Sequence, residues 1–205
     1  MKKSAFTLVE TLIVIIVFGI GILSVLYGIV QTLGNQDKAQ IQITSSFLAR
    51  EGIELMYNLR DSNQRKSLPR NCVFQPSEVT SISLDDEQNP FCDGLFEPGI
   101  VLKISMNPAE YTIVEKSALT EDFDQNFETH QLYYMTGNES FQYTYGPEGE
   151  PLRYARYLLI QEVLDGAGET LPPDYILKIE SHVLYKKGHL TGEKVMESFI
   201  GNYVI

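Results

Sequence analysis

Apolar side chains dominate the first part of the chain. No charged residue occurs from Thr11 to Gln36, and the stretch from Leu12 to Val30 is almost entirely apolar. As a helix this stretch would be about 28 Å long, close to the thickness of a bilayer's hydrocarbon layer. The pattern predicts that residues 6–36 contain a membrane-spanning helix.

Beyond this span, apolar residues return at helical spacing. They leave Lys38, Gln42, Arg50, Glu54 and Arg60 mostly on other faces. The apolar positions are Ile41, Leu48, Leu55, Met56 and Leu59. This spacing predicts an amphipathic helix over residues 37–62, continuous with the membrane span.

The pattern changes again after this helix. Residues 68–99 are rich in proline and polar residues, which is typical of loops. Residues 100–205 alternate as strands do, with predicted turns at NPAE, at Gly137-Asn138 and between Gly188 and Gly192. The predicted strands are GIVLKISM, YTIVEKS, HQLYYMT, SFQYTYG, RYARYLLIQEVLD, DYILKIESHVLYKK and EKVMESFIGNYV. A long helix followed by an antiparallel sheet predicts an α+β fold, with residues 37–205 as one globular domain.

The flanks of the span predict its orientation. Lys2 and Lys3 precede it and Asp37 is the first charge after it, so the positive-inside rule places the N-terminus in the cytoplasm and the domain outside. The apolar stretch is longer than that of a cleavable secretory signal, and it ends without an A-x-A-like site. Ordinary signal peptidase cleavage is therefore not expected.

Glu10 is the unusual residue of this segment. A carboxylate toward the middle of a bilayer costs roughly 2.5 to 3.5 kcal/mol on insertion scales, so an acid here needs a partner. If the chain were cut between Ala5 and Phe6, the new amine of Phe6 would lie four residues from Glu10, within reach along one helix. The same amine on a neighbouring copy is the alternative partner.

These residues resemble a known signal. The stretch KKSAFTLVETLIVIIVFGIGIL is similar to the class III signal of type IV pilins and type II secretion pseudopilins, and departs from it at Ala5, where the family usually has glycine. The resemblance implies a leader of residues 1–5, cleavage before Phe6 by a prepilin peptidase, and N-methylation of Phe6. It also implies that the apolar helices pack into a filament, where Glu10 meets an N-terminal amine.

A second stretch narrows the resemblance. SSFLAREGIELMYNLRDSN is similar to the corresponding segment of minor pilins and pseudopilins of the PilV/GspI kind. The family-like positions are Glu51, Gly52, Glu54, Arg60 and Asp61, for which an exposed charged helix face is the alternative explanation. The family resemblance also makes residues 68–99 the variable connection between helix and sheet.

Charge and cysteine content limit the possible partners and compartment. The chain has 16 basic and 27 acidic residues, a net charge of −11, so nucleic acid is not an expected partner. Outside the cytoplasm, Cys72 and Cys92 are expected to form a disulfide that closes a loop of about 20 residues and contributes roughly 3 kcal/mol. Two free thiols are the alternative, and a zinc site is less favoured because no His or further Cys lies nearby.

No pattern of catalytic residues is present. The three histidines are scattered, with His182 expected to have a structural role on a strand, and neither an enzyme, a cofactor nor a metal site is predicted. The run Asp122, Asp124, Asn126 and Glu128 lacks the later residues of a calcium-binding EF-hand loop and is expected to be a solvated acidic loop. The tyrosines of the strand region, Tyr133, Tyr134, Tyr143, Tyr145, Tyr154 and Tyr157, are expected in the core or in cross-strand pairs.

The sequence thus predicts a minor type IV pilin or pseudopilin. By resemblance, it would start as a single-pass protein of the cytoplasmic membrane and then enter a pilus or pseudopilus filament. Its implied partners are other pilin subunits, the prepilin peptidase and the inner-membrane assembly platform. The alternative is a signal-anchored extracellular adhesin that does not assemble, for which neither Phe6 nor Glu10 would be needed.

Overall fold

The computed structural model describes residues 8–65, 72–73, 94–95, 98–107, 110–116, 119–136, 141–145, 149–173 and 175–201. In these ranges the chain forms two helices and nine strands. The helices are α1 (Leu8–Arg65) and α2 (Phe123–Thr129). The strands are β1 (Cys72–Val73), β2 (Gly94–Leu95), β3 (Val101–Asn107), β4 (Glu110–Lys116), β5 (Gln131–Thr136), β6 (Phe141–Thr144), β7 (Glu150–Gln161), β8 (Ile176–Lys187) and β9 (Leu190–Gly201).

The chain divides into two compact units, Met1–Ile43 and Thr44–Ile205. The described part of the first unit is entirely helical, and its large apolar side chains from Leu8 to Leu33 are exposed. By length and composition, α1 is the one helix of the described chain that could cross a membrane. An uncovered apolar helix of this kind requires lipid or other apolar helices around it.

The second unit is built on the last turns of α1. The predicted apolar positions Leu48, Leu55, Met56 and Leu59 are all buried, and Ile41 of the first unit is buried as well. Within the second unit, α1 packs on one face of the sheet. This main core comprises Ile53, Leu55, Met56 and Leu59 of α1 with Ile100, Leu102, Ile104, Leu158, Ile160, Leu177, Ile179 and Ile200. The predicted α+β, pilin-like architecture of a long apolar helix and an antiparallel sheet is confirmed.

The sheet is antiparallel throughout, and β7 is its central strand. One edge of β7 pairs with β8 from Tyr154↔Tyr185 to Gln161↔Lys178. The other edge of β7 pairs with two strands. β3 pairs with the C-terminal part of β7, and β5 pairs with the N-terminal part of β7. β4 extends β3, β6 extends β5, and β9 pairs along the whole of β8. The seven predicted strands all occur as β3 to β9.

The turn between β8 and β9 differs from the prediction. The structure has a turn at Gly188 and His189, whereas the sequence predicted a connection from Gly188 to Gly192. Gly188 has φ +59, which glycine adopts without steric cost. Gly192 instead belongs to β9, opposite Tyr185, and a Cβ at this position would collide with the Tyr185 ring. Glycine is therefore needed at position 192 because the Tyr185 ring lies across the strand there, and not because the chain turns at this residue.

The acidic run at residues 122–128 forms α2, so the prediction of a loop was wrong. Asp122 caps the helix, because its side chain accepts a hydrogen bond of 2.9 Å from the backbone N–H of Asp124. Phe127 is buried on the face of the sheet opposite α1. This smaller core also contains Val101, Ala155, Tyr157 and Leu184. The sheet is therefore covered by α1 on one face and partly by α2 on the other.

Candidate assembly site and the contacts of the globular unit

Glu10 lies in the first turn of α1, and its side chain is exposed. The predicted processing residues Ala5 and Phe6 lie outside the described residues. Several hydroxyl groups of the apolar half satisfy their hydrogen bonds on the helix itself: Ser24 donates to the carbonyl of Ile20 at 2.8 Å, and Thr32 to that of Gly28 at 2.9 Å. An ionised carboxylate only accepts hydrogen bonds, so in an apolar environment such a group is stabilised by hydrogen-bond donors or cations.

Arg156 is the largest fully buried side chain of the described chain. It extends from β7 toward α1, and its guanidinium donates to the carbonyl of Leu48 in α1 and to that of Ile104 in β3, at 3.2 Å each. A further hydrogen bond of 3.3 Å runs to the Tyr145 hydroxyl, and the Glu51 carboxylate lies 3.4 Å from Nη1. Burial opposes the charge, but interactions with Tyr145 and Glu51 outweigh it and raise the pKa of Arg156. Glu51 is thus the counterion of a buried cation.

Gly52 marks the closest approach of α1 to the sheet. A Cβ at this position would lie 2.5 Å from Ser181 Oγ and 3.0 Å from Leu158 Cδ2. Any larger residue would push the helix away from β7 and β8 or displace their side chains. Ser181 Oγ is buried and has no hydrogen-bond partner within the described part of the structure. A polar atom buried without a partner is costly, and this oxygen lies at the point where a Cβ of residue 52 would collide with the sheet.

The family-like positions of the helix therefore fall into two groups. Glu54 pairs with Arg50 at 2.8 Å on the exposed surface, as the charged-face alternative predicted. Gly52 is buried, so for this residue that alternative is wrong. Glu51 keeps a 39% exposed side chain and also contacts the buried Arg156. At the end of the helix, Arg60 pairs with Asp61 at 2.7 Å.

Sequence reasoning missed the buried role of Arg156. The alternation of residues along β7 could have predicted this role. Arg156 lies on the same face of the strand as Tyr154, Leu158 and Ile160, all of which are buried. A lone arginine among inward-facing positions predicts a buried cation that needs an acidic partner.

A second polar cluster lies on β8 and β9, on the face opposite α1. Both ring nitrogens of His182 contact carboxylates: Nδ1 lies 2.6 Å from Glu193 and Nε2 lies 3.2 Å from Glu180. Lys178 bridges Glu180 at 2.7 Å and Glu197 at 3.1 Å. Five charged or titratable side chains therefore alternate in sign across the two strands. Burial opposes protonation, but the bonds to Glu193 and Glu180 outweigh it and raise the pKa of His182.

Aromatic rings support this cluster. The ring of Tyr157 stacks on His182 with centroids 4.7 Å apart and planes at 9°, and His130 packs on Tyr157 at 5.0 Å.

Tyr154 and Tyr157 are buried, and Tyr134 pairs with its cross-strand neighbour Tyr143 at 6.4 Å. For these four tyrosines, the expected core and cross-strand placement is confirmed.

The predicted disulfide stays a prediction. Cys92 lies outside the described residues, and of Cys72 only the backbone is described, in β1. There Cys72 pairs with Leu95 of β2 in an antiparallel register. Cys92, the predicted partner, precedes β2 by two positions in the sequence.

Within the described residues, no group of three His, Cys, Asp or Glu side chains is arranged to hold a metal ion. Side-chain oxygens of three residues of the acidic run already have other partners. Asp122 caps α2, and the side-chain oxygen of Asn126 accepts from the backbone N–H of Thr120 at 3.1 Å and from its hydroxyl at 3.0 Å. Asp124 pairs with Lys186 at 2.7 Å.

Comparison with known proteins addresses the N-terminal segment. Residues 1–26 match the family model of the prokaryotic N-terminal methylation motif. Comparisons with curated proteins and with solved structures gave no match. The matched segment contains Ala5, Phe6 and Glu10 and extends into the apolar half of α1. Residues 1–26 therefore carry a type IV pilin-like prepilin signal.

Proposed function

We propose that this protein is a minor type IV pilin or pseudopilin of the PilV/GspI kind. In this proposal a prepilin peptidase cuts between Ala5 and Phe6, and the new amine of Phe6 is methylated. The processed subunit then joins a type IV pilus or a type II secretion pseudopilus through α1. Its function is association with other subunits rather than catalysis.

The observation that carries the proposal is the match of residues 1–26 to the methylation motif on a helix whose apolar side chains are uncovered. Before assembly, the bilayer would surround this half of α1, with the N-terminus in the cytoplasm. In a filament, the corresponding helices of other subunits would replace the lipid. The exposed side chains from Leu8 to Leu33 suit both environments.

Glu10 has a specific role in this proposal. During transfer from membrane to filament, its carboxylate pairs with the methylated amine of Phe6, either on its own chain or on a neighbouring subunit. In an apolar environment such a pair is stabilising only when both charges are present. The pair would therefore set the axial position at which a new subunit stops.

The globular unit supports the narrower assignment to minor subunits. The Glu51-Gly52 step, which carries the resemblance to the PilV/GspI kind, lies where α1 packs on the sheet. There Glu51 neutralises Arg156 and Gly52 permits close packing. These contacts would keep the globular unit attached to the helix that carries it into the filament, on the assembly platform of the inner membrane.

Co-expression with a prepilin peptidase tests the processing step. We expect the full chain to lose its first five residues only when the peptidase is present, seen as a faster-migrating band in a membrane fraction. Ala5→Gly is expected to be cut at least as fast, because glycine is the residue usual at this position of the family. Ala5→Ile is expected to stay uncut, because its branched side chain crowds the scissile bond.

The control for this experiment is a catalytically inactive peptidase, with which all three chains should stay intact. Processing of Ala5→Ile at the wild-type rate, or no peptidase-dependent change in the wild-type chain, would contradict the proposal. The second result is the one that an anchored adhesin predicts.

A further inference from the structure

The Glu180, His182 and Glu193 side chains form a cluster with an unusual proton requirement. A neutral imidazole has one N–H and one lone pair, so it can donate to one carboxylate only. His182 has a carboxylate at each ring nitrogen, at 2.6 and 3.2 Å. Only the imidazolium, with two N–H groups, satisfies both contacts. In the neutral form, a lone pair would face a carboxylate oxygen.

The cluster connects two strands. Glu180 and His182 lie on β8 and Glu193 lies on β9, diagonally across from His182, which pairs directly with Val195. Lys178 continues the chain of charges to Glu197, the second β9 carboxylate. β9 is thus attached through side chains at two points on this face. Cross-strand charge pairs of this kind stabilise a sheet locally.

The two halves of β9 are held differently. Near its C-terminal end, Tyr57 of α1 contacts β9 through hydrogen bonds of its hydroxyl with Ser198 Oγ at 2.5 Å and with the carbonyl of Phe199 at 3.2 Å. The half from Leu190 to Val195 relies on its ladder with β8 and on the contacts of Glu193. Thr191, Glu193, Lys194 and Val195 are exposed. This half is therefore the part of the terminal hairpin that depends most on the proton of His182.

We propose that the Glu180, His182 and Glu193 cluster is a proton-dependent clasp. While both ring nitrogens of His182 are protonated, the clasp holds residues 190–195 on β8. When His182 loses one proton, this segment is released from β8. The clasp makes the stability of the terminal hairpin depend on pH. It is a property of the sheet and does not depend on the proposed processing.

The groups around His182 determine the sign of the effect. Tyr157 stacks on the ring from β7 and donates to Glu193 at 3.3 Å. The hydrogen bond from His182 lowers the pKa of Glu193 against the opposing effect of burial. Further charged or titratable groups on this face are Lys178, Glu197, His130, Lys103 and Lys186 with its partner Asp124. Since the pKa of His182 is raised in the folded state, the clasp is complete below the ordinary histidine pKa of about 6.5 and is lost as pH rises through the folded pKa.

Hydrogen exchange of the full chain in detergent micelles tests the clasp. We expect the protection of residues 190–195, corrected for intrinsic exchange, to fall between pH 5.5 and 8.5. The fall should be about tenfold for each unit by which the pKa of His182 in the closed hairpin exceeds that in the open one. Protection of residues 196–201 should change less.

Two histidine variants make the experiment specific. His182→Gln should have low protection at all pH values, whereas His189→Gln, which alters the exposed histidine of the same hairpin, should behave as the wild type. A flat profile in the wild type, or an unchanged pH dependence in His182→Gln, would overturn the proposal. If His182→Gln fails to fold, side-chain NMR of the wild type decides, because the pKa of His182 must lie above the ordinary histidine value of about 6.5, and a His182 pKa at or below that value would overturn the proposal.

Discussion

Glu10→Ala is expected to leave the chain inserted and processed but to reduce its share in the filament fraction at least tenfold. Removal of a carboxylate from the apolar segment makes insertion easier, so failed insertion cannot explain a loss of assembly. What the variant lacks is the partner of the Phe6 amine, which would enter an apolar filament core as an uncompensated charge. Immunoblots of sheared filaments and of membranes, expressed as a ratio, measure the effect.

Glu54→Ala is the matched control for this experiment. It removes an acid from the same helix, where Glu54 pairs with Arg50 on the exposed surface. Its share in filaments should equal that of the wild type. Equal shares for Glu10→Ala and the wild type would contradict the assembly role and favour an anchored protein that does not assemble.

Glu51→Ala is expected to lower the free energy of unfolding of the globular unit by about 2 to 3 kcal/mol. The change leaves the guanidinium of Arg156, which is 1% exposed, without its carboxylate. Loss of one partner of a fully buried pair costs about 3 to 5 kcal/mol, and the cost is smaller here because the Glu51 side chain is 39% exposed. Denaturant unfolding followed by tyrosine fluorescence measures the effect, since the chain has 12 tyrosines and no tryptophan.

Two further variants identify the cause of the destabilisation. Glu54→Ala removes an exposed acid from the same helix. This variant should change the free energy of unfolding by less than about 0.5 kcal/mol, because exposed ion pairs contribute little. Arg156→Met in the Glu51→Ala background should recover part of the loss, because it removes the unpaired buried charge but also the hydrogen bonds to the carbonyls of Leu48 and Ile104. A double variant that is less stable than Glu51→Ala would show that the charge is not the reason.

The periodicity of the sequence was sufficient to predict α1 and the strands β3 to β9, but not α2 or the two-residue strands β1 and β2. The spacing of apolar residues predicted α1 and its buried face at Leu48, Leu55, Met56 and Leu59. The apolar face of an amphipathic helix can be read from residues that are close together in the sequence. Strand alternation likewise located β3 to β9. Neither pattern carries the order of strands, which depends on contacts between residues far apart in sequence. The division of the edge of β7 between β3 and β5 is of this kind.

The parts that escaped prediction depend on tertiary contacts. The acidic residues of α2 resemble a loop, but burial of Phe127 against Val101 and Leu184 stabilises a helix there. Gly192 resembles a turn residue because nothing local shows that the Tyr185 ring lies across it. The role of Glu51 becomes visible only when β7 brings Arg156 to α1. For Ala5, Phe6 and Glu10, the local motif carries the prediction, because a peptidase reads a linear segment.

The central claim is that the chain is processed before Phe6 and methylated there, and the mass of the N-terminal peptide of the mature protein tests it most directly. The protein should be isolated from cells that contain the peptidase and analysed by tandem mass spectrometry. We predict a first peptide that begins at Phe6 and carries one methyl group on its α-amine. A first peptide that retains Met1, or one that begins after Val30, would contradict the account.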